Sequence, residues 1–190
     1  MKTKLLFLIL FLTQYFFSFS QRKNVDLLTM DSLLKARQTE AIGKQFGVFK
    51  TTYKNRKVTN ENLKGKVVFI NFWFAACPPC IAELPGLNNL YDTLKNNHNF
   101  EFISFTFENQ KVTKEIVKKY KIKYKVVSVS PSDCNRLINN SSFPSSVLID
   151  RNGIIKFLKA GGSKDKSEIK DIIFKDYYPK ILSEINKQDN

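Results

Sequence analysis

Hydrophobic and polar positions change period several times along the chain, and each change marks an element. Val67 to Phe74 is a near-continuous apolar run with a β-branched start, the pattern of a strand buried on both faces. From Pro79 onward Ile81, Leu84, Leu87, Tyr91 and Leu94 keep a helical period, and Asn96 to Asn99 ends the helix. Pro79 is tolerated in a first turn, whereas Pro85 cannot donate to the helix ladder and should kink it. Phe100 to Phe107 predicts the next strand. Lys111 to Tyr120 predicts a helix with Val112, Ile116 and Val117 inward, and Val126 to Val129 a short strand. Asp133 to Asn139 reads as a short helix capped by Ser132. Ser146 to Asp150 and Ile154 to Leu158 flank Arg151-Asn152-Gly153, a hairpin signal. Ile169, Ile172, Ile173, Tyr177, Ile181 and Ile185 form the apolar stripe of a closing helix, which Pro179 should bend or split.

Upstream of the buried run the pattern is weaker. Val25 to Ile42 has loose helical spacing through Leu28, Leu33, Leu34 and Ala41, and stops at Gly43. Phe46 to Tyr53 alternates as a strand, Asn55-Arg56-Lys57 is a turn, Val58 begins a short return, and residues 63–66 are a loop. The β-α-β-α-β order predicts a parallel sheet, with its site at the carboxyl ends of the strands. The 190 residues suffice for one domain with a proper core. No internal repeat or low-complexity tract is present.

Residues 1–20 differ from the rest. Lys2 and Lys4 precede an apolar stretch, Leu5 to Phe19, broken only by Thr13, Gln14 and Ser18, and small residues surround a cut after Ser20. This is a secretory signal pattern; the rival reading is an uncleaved anchor, for which the run is short. The expected organisation is a signal peptide at 1–20, a helical extension at 21–43 and one domain at 44–187. Loss of Lys2 and Lys4 lowers the formal charge from +14 to +12. The lysines are scattered and no nucleic-acid motif accompanies them, so the balance reads as a solvated surface rather than a nucleic-acid site. Export permits disulfides. Three cysteines, however, do not make a disulfide framework.

Cys77 and Cys80, two residues apart, fall where the buried strand gives way to the helix. Orphan N–H groups and the helix dipole favour an anion there, and a thiol so placed loses its proton more easily. Cys77 is therefore read as the attacking sulfur and Cys80 as the resolving one. Zinc would want four ligands; only Cys134 and His98 remain, neither in a paired spacing, so no metal is expected. Cys134 reads as an inert, partly buried thiol, His98 as a surface residue at a helix end, and Glu108 as a loop acid after a strand.

Phe72-Trp73, Cys77-Pro78-Pro79-Cys80, Glu83 and Pro85, with Phe143-Pro144-Ser145-Ser146 later, resemble the thioredoxin superfamily. More narrowly, they resemble its TlpA/ResA-like extracytoplasmic thiol–disulfide oxidoreductases. The likeness covers roughly Ile42 to Lys187. It implies an α/β, thioredoxin-like fold: a central mixed sheet flanked by helices, with an N-terminal hairpin and an inserted helix and strand at 111–129. It implies a redox-active Cys77–Cys80 disulfide and no other cofactor. Thioredoxin's buried acid, six residues before the first cysteine, is Asn71 here, which cannot exchange a proton; Glu83 matches the acid of the ResA-like group. Trp73 would lie beneath the cysteines. Pro144, behind a cis bond, would face them and leave the Phe143 backbone free to pair with a substrate strand.

The resemblance further implies an exported, periplasmic monomer. It would act on cysteines or disulfides of other proteins as a reductase of the cytochrome c maturation type, fed by a membrane electron donor. Phe74, Ala75 and Ala76 depart from the family pattern before the first cysteine. A peroxiredoxin would carry a threonine where Phe74 stands, and a copper or haem chaperone of this fold would use a wider cysteine spacing and a distal histidine.

Overall fold

A computed structural model of the protein describes residues 29–187. The signal-peptide reading and Val25 to Leu28 lie outside the described residues. Residues 29–41 are helical (α1). The chain divides into two compact units, one ending at Ala36 and the other running from Arg37. In the first, Leu33 is 54% exposed rather than inward.

The second unit is built on a five-stranded sheet in the order β5-β4-β3-β6-β7. Its strands are β3 (Val67–Phe72), β4 (Phe100–Thr106), β5 (Lys125–Ser128), β6 (Ser145–Ile149) and β7 (Ile155–Ala160), with β1 (Lys50–Tyr53) and β2 (Arg56–Thr59) forming a separate hairpin. β3 pairs parallel with β4, and β4 with β5; β6 runs antiparallel to β3, and β7 to β6. The predicted mixed sheet is thus present.

Both faces of the sheet are covered, which is why β3 reads as continuous hydrophobicity. Val67, Phe69 and Trp73 join one core with α2 (Pro78–Leu94) and the closing helices; Val68, Ile70 and Phe72 join the other, with Phe46, Phe49 and α4 (Pro131–Leu137). β4 alternates likewise, Phe100 and Phe102 to the first core and Ile103 and Phe105 to the second. Each such side chain contributes about 1.5–3 kcal/mol by leaving water. Gly86 on α2 lets the closing helices approach: a Cβ there would stand 2.6 Å from Ile173 Cδ1 and 3.3 Å from Ile169 Cγ2.

Several boundaries differ from the sequence reading. Residues 46–49 are not strand, because Phe46 and Phe49 bond through their N–H groups to the Gly153 carbonyl and Asn60 Oδ1. The hairpin turn is Lys54-Asn55, both with positive φ (48° and 62°), so Arg56 and Lys57 already pair in β2. Asn60–Leu63 is a 3-10 turn, so Leu63 closes that turn rather than opening the loop. β3 ends at Phe72 and β4 at Thr106, short of Phe74 and Phe107, whose rings pack on each other. α2 begins at Pro78 and ends at Leu94; it continues through Pro85, and Ile81 and Tyr91 are only half-buried. α3 (Gln110–Lys119) and β5 start one residue early. α4 starts at Pro131 with Ser130 Oγ accepting from Asp133 N–H at 3.1 Å, so Ser130, not Ser132, is the cap; Pro131 suits a first turn that needs no N–H.

The closing helix is split as Pro179 predicts. α5 (Lys166–Asp171) passes into a π-helical stretch, Ile172–Tyr177, before α6 (Tyr178–Ile185). Tyr178 N–H bonds to the Ile173 carbonyl, five residues back, just before the proline that lacks a donor. Arg151, in the β6–β7 turn, donates to the carbonyls of Glu184, Ile185 and Lys187 and so closes the end of α6.

Candidate functional site

The site forms where β3 hands the chain to α2. Trp73 N–H still bonds to the Phe105 carbonyl at 3.1 Å, carrying the sheet one residue past β3. The chain then leaves the sheet. Ala75 N–H donates to Glu108 Oε1 at 2.7 Å, and Cys77 N–H to the Phe74 carbonyl at 3.2 Å. Cys77 takes the N-cap position in an extended conformation, and its Sγ accepts from Cys80 N–H at 3.3 Å. That bond places the first sulfur on an orphan donor of the helix start. Pro78 at the first helical position needs no partner for a missing N–H. Cys77 and Cys80 are joined as a disulfide with Cα atoms 5.3 Å apart. Trp73, Cys80 and Leu84 are fully buried around it.

Three half-buried rings stand beside this corner. Phe74 and Phe107 stack at 5.3 Å, and Phe143 meets them edge-on at 5.3 and 5.8 Å. The Phe143–Pro144 bond is cis, and Gly161 N–H donates to the Pro144 carbonyl at 2.8 Å. The Phe143 N–H and C=O make no hydrogen bond among the described residues. Ser145 then opens β6 opposite Phe72.

Glu83 lies one turn beyond Cys80 on α2 and is buried. Its Oε1 accepts from Asn71 Nδ2 at 2.8 Å. Burial pushes the Glu83 carboxyl up to about 8, against the opposing pull of the Asn71 hydrogen bond. At neutral pH the group is therefore a neutral acid, with a proton to give and an affinity near that of a thiol. Asn71 Oδ1 and Trp73 Nε1, both buried, have no partner among the described residues.

The structure brings Trp73, Cys77, Cys80, Glu83, Phe143 and Pro144 into one region. It separates Cys134 and His98 from them. Cys134 is fully buried in α4, in the core on the opposite face of the sheet, where burial and the neighbouring Asp133 push its thiol up to about 12. His98 is exposed beyond α2. Glu108 is a loop residue as expected, but its bond to Ala75 N–H also fixes the segment leading to Cys77. Phe107 and the tie between Asn71 and Glu83 were not foreseen either; the latter needs the register of β3 against α2, which no local pattern carries. Among the described residues no cluster of three or more His, Cys, Asp or Glu side chains is placed to hold a metal ion, and no helix is long and apolar enough to cross a membrane.

A C-x-x-C disulfide at a helix start, on a thioredoxin-like sheet whose β6 follows a cis proline, defines a thiol–disulfide oxidoreductase. The family model described as Redoxin matches residues 37–173, and the chain belongs to that family, in its TlpA/ResA-like group. The thiol–disulfide oxidoreductase ResA of Bacillus thuringiensis subsp. konkukian is 32% identical over 130 residues, covering 67% of this chain and 75% of that protein. Among solved structures, a thiol:disulfide interchange protein from Bacteroides sp. superposes with a TM-score of 0.61 at 22% identity, covering 79% of this chain and 93% of the other, and supports the fold. StoA from Bacillus subtilis superposes with a TM-score of 0.53 at 25% identity, covering 65% and 92%.

Proposed function

We propose that the protein works outside the cytoplasm as a reductase of cysteines in other exported proteins, with Cys77, Cys80 and Glu83 as its catalytic groups. The observation that carries this reading is the Cys77–Cys80 disulfide capping α2 with a buried, protonated carboxyl one turn behind it. In the reduced protein the Cys77 thiolate attacks a substrate disulfide. A mixed disulfide forms, and one substrate sulfur leaves as thiolate. The minor ionised fraction of Glu83 takes the proton of Cys80, whose thiolate attacks Cys77 Sγ. The second substrate sulfur leaves, and the Cys77–Cys80 bond closes. One substrate disulfide is reduced and one protein dithiol oxidised. A donor thiolate reverses the last steps, and Glu83 returns its proton to Cys80. Trp73 backs the sulfurs, and the free Phe143 backbone beside Pro144 offers an edge to an extended substrate.

What surrounds the sulfurs supports the reducing direction. Strong dithiol oxidants owe their potential to a stabilised reduced form. Here the helix start favours one thiolate, but Trp73, Leu84 and a neutral carboxyl do not. The family resemblance points the same way, toward exported apocytochrome thiols and a membrane donor that restores the dithiol. The signal pattern of residues 1–20 supports export.

Equilibration of the Cys77–Cys80 couple against glutathione or dithiothreitol tests the direction. The expected potential lies nearer about −270 mV than about −120 mV; a value at the upper end makes the protein an oxidant.

A further inference from the structure

The two oxygens of Glu83 have different surroundings. Oε1 faces inward and accepts from Asn71. Oε2 makes no hydrogen bond among the described residues and lies toward Gly162, an exposed residue just past β7. A Cβ at Gly162 would stand 3.7 Å from Glu83 Oε2 and 2.7 Å from Pro144 Cγ. The φ of Gly162 lies outside the left-handed region, so its backbone does not require glycine. What requires it is the space. Gly161, with a φ of +86°, hydrogen-bonds the Pro144 carbonyl and holds this segment against the proline ring.

Glu83 keeps 4% of its surface exposed, and a side chain at Gly162 would come into van der Waals contact with Oε2. Resting on the reading that Glu83 exchanges a proton with Cys80, we infer that Gly162 is a positioning residue whose missing side chain leaves Glu83 Oε2 in contact with solvent beside Pro144. The proton held in the oxidised protein then equilibrates with bulk water, and its occupancy follows pH. A methyl group at Gly162 removes that hydration, which favours the neutral carboxyl.

The test is a carbon-13 NMR titration of the Glu83 carboxyl carbon in the oxidised full chain, assigned by its loss in Glu83→Gln. Gly162→Ala is expected to raise the titration midpoint by about one pH unit. An unchanged or lowered midpoint overturns the inference. The methyl also meets Pro144, so a second pair removes that clash: Pro144→Ala against Pro144→Ala with Gly162→Ala. The same upward shift is expected within the pair, and equal midpoints overturn the inference. Within the Pro144→Ala pair the midpoint reads hydration at Oε2. Failure of Glu83 as proton donor would show instead as wild-type exchange rates in Glu83→Gln.

Discussion

Cys80→Ser is expected to leave a protein that attacks a substrate disulfide once and then stays bonded to it, while Cys77→Ser reduces exchange to the uncatalysed level. The asymmetry comes from placement. Cys77 caps α2, where its sulfur meets the Cys80 N–H, and thiolate character there rests on the helix start, which Cys80→Ser leaves in place. Cys80 is fully buried behind it and bonded to Cys77, with little of its sulfur open to a substrate. Incubation of each variant with a disulfide-containing protein, followed by non-reducing electrophoresis, reads the result. A stable adduct with Cys77→Ser, or none with Cys80→Ser, would reverse the assigned roles.

Glu83→Gln carries the largest expected effect on stability. The Glu83 carboxyl ionises near 4.5 in an unfolded chain and near 8 in the folded one. Its folded pKa is raised, so its contribution to stability is fully present below about pH 4.5 and is lost as pH rises toward 8. One proton over this window corresponds to roughly 1.4 kcal/mol per pH unit, a few kcal/mol in all. Glutamine keeps an oxygen for Asn71 and has nothing to ionise. Urea unfolding of the oxidised proteins between pH 5 and 8 should show wild type weakening with pH and Glu83→Gln nearly flat by comparison. Parallel curves would mean that Glu83 is hydrated and ionised as on a surface. Disulfide exchange by Glu83→Gln should also be slower, with a shifted Cys80 titration.

Most of the fold could be read because the buried runs are long and the two periods differ cleanly. β3 and α2 are legible from Val67 to Leu94 because one stretch is apolar at every position but Asn71 and the next at helical spacing. The errors fall where tertiary partners override local pattern. Phe46 and Phe49 alternate like strand residues, yet their backbone bonds go to a turn and to Asn60. Ser130 caps α4 in place of Ser132 because Pro131 is best used as its first residue. The two cysteines carry their chemistry in the sequence itself, and the cis proline was legible only through the family resemblance. Glu108 and Gly162 do not, since their importance lies in Ala75 and Pro144, residues distant in the chain that the fold brings beside them. Asn71 was legible only as a missing acid, whereas its amide proves to hold the acid that replaces it.

The assigned mechanism requires that the start of α2 make Cys77 anionic. The direct measurement is the titration of Cys77 in the reduced protein, followed by thiolate absorbance or by the pH dependence of its alkylation, with Cys80→Ser isolating the signal. The expected pKa lies clearly below the free-thiol value of about 8.5. A midpoint at or above that value would contradict the assignment of Cys77 as the attacking sulfur.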